Sequence, residues 1–249
     1  MFSVLFGRPH IRLEIVGSTN TYARQLIESG RPQDGTVITS AFQYSGRGQG
    51  NHTWESEAGK NLLCSYIFYP QITVNRLFIL NKMIACAVHQ CLEKFLGSGD
   101  LKIKWPNDLL KDNRKVSGML VETGIKGNEI SYCIAGIGIN VNQEVFRAYH
   151  PEAASIKMLT GKWEEPDLVL AMLNQSMNHW YDKLLCKQDD VVLYFEHNLF
   201  CFGLSSEFII QGKRQLLTIT GADNEGNLLM RNSNDEILKL KHGEFQYVL

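Results

Sequence analysis

Alternating apolar and polar residues recur through the first part of this chain and predict six strands before residue 142. A helix is expected after the first strand, because Ser18 and Thr19 offer a start with hydroxyl caps and Gly30 stops it. The predicted strands cover residues 11–16, 36–43, 62–69, 101–105, 116–122 and 130–141.

Apolar residues that recur every three or four positions predict two long helices. The first lies between residues 77 and 96, and the second begins at Pro166 and continues to about Leu184. A shorter helix is expected over residues 191–197. After Gly203 the pattern changes to short strands separated by turn signals, which is typical of a small β-barrel. The chain is therefore predicted to be an α+β protein with a main domain at residues 1–202 and an all-β module at residues 203–249.

Composition narrows the classes of function. The 249 residues carry 25 basic and 26 acidic side chains, without the basic surplus of a dedicated nucleic-acid binder, so no nucleic-acid partner is predicted. The longest apolar helical segment is interrupted by charged and polar residues, so no membrane contact is predicted. No signal peptide is recognised, and a cytoplasmic location is expected. The six cysteines show no metal-ligand spacing, which predicts buried, reduced thiols and no metal site.

The long loop at residues 44–61 is rich in glycine and polar residues, and loops of this length are usually functional or mobile. Gly46 and Gly48 let the backbone turn N–H groups toward an anion, and Arg47 between them suits a carboxylate or a phosphate. The segment is neither a Walker A loop nor a dinucleotide GxGxxG motif. The glycine and arginine pattern is equally consistent with a surface loop in which Arg47 is solvated. Trp54 either anchors this loop to the core or offers a stacking surface to a purine ring.

Two strands carry further candidates. Lys102 and Lys104 share one strand face, which is either solvated or places Lys104 opposite a phosphate. Gly136, Gly138 and Asn140 share one face of a later strand, which permits close approach by a ligand or by another backbone.

Four segments in order resemble those of the biotin protein ligases: residues 46–54, the KWPND sequence at 104–108, residues 115–122 and the GxGxN sequence at 136–140. Ser18, Thr19, Asn20 and Gln43 match the same family, and the resemblance covers nearly the whole chain. It implies a mixed, mainly antiparallel sheet flanked by helices, of the class II synthetase-like type, followed by a small SH3-like β-barrel. One departure is visible, since Gln49, Gly50 and His52 stand where the family loop often carries further arginines.

The resemblance also implies roles for individual residues. Lys104 and Arg47 would be catalytic, because both would bind the attacking carboxylate and the α-phosphate. The implied biotin-binding residues are Ser18, Thr19, Asn20, Gln43, Gly46, Arg47, Lys104, Gly118, Gly136 and Gly138. The implied nucleotide-binding residues are Arg47, Gly48, Trp54, Lys104, Asn107 and Asn140, with Trp54 stacked on adenine.

The function implied is ATP-dependent attachment of biotin to a lysine of a biotin carboxyl carrier domain, as in acetyl-CoA carboxylase. ATP with Mg²⁺ would be the co-substrate and biotin the substrate, and no tightly bound prosthetic group is expected. Alternatives are a lipoate or octanoate ligase or transferase, a biotin-responsive DNA-binding repressor, and a module that holds biotinyl-AMP without transferring it. The repressor is disfavoured, because the Ser18 motif leaves no room for a preceding winged helix. Oligomeric state is open, with a homodimer paired along an exposed sheet edge as one option.

Overall fold

A mixed sheet forms the larger part of the protein in the computed structural model, which describes residues 4–50, 52–147 and 151–248. Its strands are β1 (His10–Val16), β2 (Thr36–Gln43), β3 (Leu62–Phe68), β4 (Leu101–Lys104), β5 (Asp108–Lys111), β6 (Arg114–Lys126) and β7 (Glu129–Ile139). Their order in the sheet is β1-β2-β3-β7-β6-β5-β4. Among the described strands of this sheet only β1 and β2 pair in parallel, joined by the crossover helix α1 (Thr19–Ser29), which confirms the predicted mixed, mainly antiparallel sheet.

Helices cover the two faces of this sheet unequally. The main core lies on the side of α2 (Phe78–Leu96), α4 (Pro166–Cys186) and α5 (Gln188–His197), with the short α3 (Ile156–Thr160) beside them. Ile137 and Ile139 of β7 belong to this core. On the opposite face α1 buries a small cluster that includes Ala23 and Ile134. Because side chains alternate along a strand, Gly136 and Gly138 face the side of α1, as the alternation predicts.

The C-terminal part forms a separate antiparallel sheet. It contains β8 (Ser205–Ile210), β9 (Lys213–Ala222), β10 (Leu228–Arg231), β11 (Ile237–Leu240) and β12 (Phe245–Tyr247), in the order β11-β10-β9-β8-β12. Within the described residues β11 and β12 do not pair, and the five-stranded antiparallel sheet is compatible with the predicted SH3-like module. Lys82 of α2 joins the two sheets, since its buried ammonium donates to the Ala222 carbonyl at 2.6 Å.

Most predicted helices and strands are confirmed, and the differences have local causes. β5 was not predicted, because two apolar residues between Asp108 and Lys111 are too few to show a period. Likewise α3 spans only five residues and is marked only by its cap, in which the Ser155 hydroxyl accepts from the Met158 N–H. The predicted burial of the thiols is wrong for Cys186, which is exposed at the end of α4, and Cys201 is only partly buried. None of the described helices is long and apolar enough to cross a membrane.

Candidate functional site

A cavity of about 290 Å³ lies on the side of the sheet where α1 begins, under the loop at residues 44–61. Thirteen of the fourteen residues that the resemblance implies line it, which brings together segments far apart in sequence. They are Ser18, Thr19, Asn20, Gln43, Arg47, Gly48, Trp54, Lys104, Asn107, Gly118, Gly136, Gly138 and Asn140. Gly46 is not among the lining residues; an added Cβ there would lie 2.5 Å from the Trp54 carbonyl oxygen, so this glycine serves the fold of the loop.

The register of the sheet explains why the KWPND and GxGxN segments meet. Lys104 pairs with Asp108, Asp108 with Gly118, and Gly118 with Gly138, so one row of residues crosses β4, β5, β6 and β7. We call these four residues the cross-strand row. At a strand spacing of about 4.8 Å, the row is roughly 14 Å long. Asn107 fixes the turn beside it, because its side-chain amide donates to the Met119 carbonyl at 2.7 Å.

The loop at residues 44–61 closes over this row as a small hairpin. The Gly48 N–H donates to the His52 carbonyl at 2.8 Å, and the Trp54 N–H donates to the Gly46 carbonyl at 3.0 Å. The Trp54 indole then lies on the sheet, where added Cβ atoms at Gly138 and Gly118 would lie 2.5 and 2.9 Å from its ring. These two glycines are therefore needed for the close approach of the indole. The indole N–H is buried, and it has no hydrogen-bond partner among the described residues.

The opposite end of the cavity is lined by hydrogen-bonded polar side chains. Gln43 Oε1 accepts from the Thr19 N–H at 2.7 Å and lies 3.0 Å from the Thr19 hydroxyl. The predicted hydroxyl cap of α1 is therefore wrong, since Ser18 forms no cap bond and the Gln43 amide binds the first turn instead. The Ser65 hydroxyl lies 2.7 Å from the Thr19 hydroxyl and 2.6 Å from Asn20 Oδ1. These contacts fix the donors and acceptors that a small polar ring would meet.

Three cationic side chains line the cavity in different electrostatic settings. Arg47 contacts the Glu122 carboxylate at 3.1 Å, and the Lys115 ammonium lies 2.7 Å from Asp108. Lys104 forms no ion pair within the described part of the chain. Its ammonium lies 5.0 Å from the centre of the Tyr247 ring. Burial lowers the pKa of Lys104, although the nearby Asp108 carboxylate opposes this shift. Lys104 is thus the cation whose charge is least compensated, as expected of a group that binds a substrate anion.

Asn140 lines the cavity two residues after Gly138 of the cross-strand row. Its amide nitrogen is 3.2 Å from the Ala154 carbonyl and 3.4 Å from the Lys115 carbonyl. Its Oδ1 atom is buried, and it has no partner among the described residues. A buried acceptor left in this state favours binding of a donor such as a hydroxyl or an exocyclic amino group.

Several residues in or beside the cavity were not predicted from sequence. Lys115 and Glu122 lie in a segment that the resemblance singled out, and the alternation of β6 could have placed Glu122 on the same face as Gly118. His242 lines the cavity from the C-terminal sheet, and Tyr247 lies under Lys104. No local pattern indicates these two, because their contacts cross more than a hundred residues of sequence.

Comparison with known proteins gives consistent matches. The model of the biotin/lipoate A/B protein ligase family matches residues 13–140. The bifunctional ligase/repressor BirA of Bacillus subtilis is 34% identical over 140 residues, which are 56% of this chain and 42% of the relative. The biotin–[acetyl-CoA-carboxylase] ligase of Paracoccus denitrificans is 30% identical over 152 residues, 59% of this chain and 63% of the relative. The alignment therefore spans less than two thirds of the length of either relative.

The fold is also that of a solved structure. The biotin protein ligase from Aquifex aeolicus in complex with biotin and ATP superposes with a TM-score of 0.77 at 24% identity. The superposition covers 96% of this chain and 98% of that one, including the C-terminal sheet.

Proposed function

The chain belongs to the biotin/lipoate A/B protein ligase family, and we propose that it is an ATP-dependent biotin protein ligase. The observation that carries this proposal is the composition of one cavity. Its polar end, with Thr19, Gln43 and Asn20, suits a cyclic urea, and its cationic end, with Lys104 and Lys115, suits a carboxylate and phosphates. The name of the Paracoccus denitrificans relative, a biotin–[acetyl-CoA-carboxylase] ligase, supports the choice of biotin.

In the first step the biotin carboxylate attacks the α-phosphorus of ATP, which forms biotinyl-5′-adenylate and releases pyrophosphate. The carboxylate is ionised at neutral pH, so this step needs no general base. It needs two anions to be held together while charge develops on the phosphoryl oxygens. Lys104 and Arg47 would bind the carboxylate and the α-phosphate, and Lys115, paired with Asp108, would lie beside them at the row.

In the second step a lysine amine of the carrier domain attacks the carbonyl carbon of the mixed anhydride, and AMP leaves. The acceptor we propose is the biotin carboxyl carrier domain of a biotin-dependent carboxylase. The name of the Paracoccus denitrificans relative supports acetyl-CoA carboxylase as the source of that domain. The cavity opens beneath the loop at residues 44–61, so the amine would enter after this loop moves.

The nucleotide would lie along the row. Trp54 offers an indole face to adenine, and the unpartnered Oδ1 of Asn140 would accept from a hydroxyl or the amino group of the nucleotide. Mg²⁺ would enter with the phosphates, because the described residues contain no cluster of three metal-ligating side chains and Mg²⁺ is often held mainly by phosphate oxygens. The division of the chain after residue 202 and a homodimer paired along an exposed sheet edge stay predictions.

The experiment that tests this proposal is the exchange of labelled pyrophosphate into ATP with one acid at a time. We expect exchange with biotin and none with lipoate or octanoate at equal concentration. Exchange with lipoate or octanoate but not with biotin would contradict the proposed substrate. The absence of exchange with every acid would contradict adenylate formation itself.

A further inference from the structure

Glu122 lies in the second half of β6, in contact with both the polar end of the cavity and the loop above it. Its carboxylate accepts from Asn20 Nδ2 at 2.8 Å and from Arg24 Nη2 at 2.5 Å. Arg47 Nη1 lies 3.1 Å from one carboxylate oxygen and 3.3 Å from the other. The Glu122 side chain is only 15% exposed, whereas Arg47 is 43% exposed. A shielded acid therefore holds the arginine of a surface loop.

This contact keeps Arg47 away from the cross-strand row. Glu122 is four positions from Gly118 on β6, and at about 3.3 Å per residue their Cα atoms are roughly 13 Å apart. Arg47 and Lys104 line the same cavity, so a substrate carboxylate bound by Lys104 would compete with Glu122 for the Arg47 guanidinium.

The other partners of Glu122 lower the free-energy cost of releasing Arg47. A shielded carboxylate that loses its only cation is strongly destabilised. Glu122 would keep Arg24 and Asn20 when Arg47 departs, and Arg24 contacts it at the shorter distance. The acid can thus release one arginine without becoming an unpaired buried charge.

We propose that Glu122 is a positioning residue that holds Arg47 in the ligand-free enzyme and competes with the substrate carboxylate for it. This inference rests on the proposed function, because it takes the acid substrate to be biotin. Glu122 would change the affinity for the ligand through its contact with Arg47. This effect is separate from any contribution of Glu122 to the stability of the fold.

The test compares two ligands that share the biotin rings and chain but differ in charge at the carboxyl group. Affinities for biotin and for its uncharged methyl ester are measured by calorimetry at low ionic strength. For Glu122→Gln we expect biotin to bind about two- to five-fold more tightly, the range of a partly exposed ion pair, with no change for the ester. The matched control is Glu57→Gln. It removes a negative charge from the loop that carries Arg47, but from an acid that pairs with Lys60. It should change neither affinity.

Two results would overturn the proposal. One is an equal change for biotin and for its ester, which would indicate a structural effect on the pocket. The other is a persistent effect of Glu122→Gln in an Arg47→Gln background, where competition for Arg47 no longer exists. If Glu122→Gln does not fold, Glu122→Asp, which keeps the charge but is shorter, is measured in the same way. We expect a smaller gain in biotin affinity, and no gain would contradict the proposal.

A second readout does not depend on the identity of the substrate. Trypsin cleaves after arginine and lysine, and the contact with Glu122 should protect the bond after Arg47. We expect Glu122→Gln to accelerate cleavage after Arg47 without changing cleavage after Lys126, the exposed last residue of β6. Equal cleavage after Arg47 in both proteins would refute the contact. Failure of wild-type protein to bind biotin or its ester would instead refute the proposed function.

Discussion

Tyr247 is expected to position Lys104 for catalysis, although it belongs to the C-terminal sheet. The Lys104 ammonium lies 5.0 Å from the centre of the Tyr247 ring. An ammonium over an aromatic face is stabilised by about 0.5–1 kcal/mol when exposed and by about 2 kcal/mol when desolvated. Burial lowers the pKa of Lys104, so the upper part of this range applies.

The informative perturbation is therefore Tyr247→Leu beside Tyr247→Phe. Loss of about 1–2 kcal/mol from the transition state should slow adenylate formation about 5- to 30-fold in Tyr247→Leu. Tyr247→Phe keeps the ring. It removes only a hydroxyl that is buried and has no partner among the described residues, so its rate should equal that of the wild type.

The assay is biotin-dependent pyrophosphate exchange at saturating substrates, below the unfolding temperature of each variant. A wild-type rate in Tyr247→Leu would refute the idea that the ring positions Lys104. An equal loss in both variants would refute it as well, because the hydroxyl would then account for the effect.

Three further predictions concern charge, pH and packing. Lys104→Ala should lower the adenylation rate on the order of 10²–10³-fold with the fold intact, whereas Lys102→Ala on the same strand should not; near-normal adenylation would contradict the role of Lys104. Burial lowers the pKa of His89, so the unfolded chain binds more protons than the native state, and the free energy of unfolding should fall as the pH drops below about 6.5. His89→Gln should flatten this dependence in urea titrations, and an unchanged slope would exclude His89 as its source. Gly138→Ala would place a Cβ 2.5 Å from the Trp54 ring, so calorimetry should show ATP affinity weakened by about 10-fold; unchanged affinity would contradict stacking of adenine at this indole.

The sequence predicts which face of a strand a residue occupies better than it predicts which residues that face contacts. The alternation at residues 136–140 correctly places Gly136 and Gly138 on the bare face of β7, because a period of two is a local property. The partner of that face is not local, and Trp54 reaches it only through the loop hairpin. Similarly, the start of α1 is predicted correctly, but the cap comes from Gln43 rather than from Ser18.

The electrostatics of the site could be predicted only in part. Lys104 and Arg47 were identified from their segments, but which cation is paired depends on distances set by the tertiary fold. Glu122 neutralises Arg47, and Asp108 neutralises Lys115, whereas Lys104 faces an aromatic ring. A sequence pattern contains no signal for a contact between residues 104 and 247.

The most direct test of the account is mass spectrometry of an apo biotin carboxyl carrier domain incubated with this protein, ATP, Mg²⁺ and biotin. The account predicts a mass gain of one biotinyl group at the carrier lysine, lost when ATP is omitted or when that lysine is replaced. An unchanged carrier mass, with a lipoyl or octanoyl group transferred to its own carrier instead, would contradict the account.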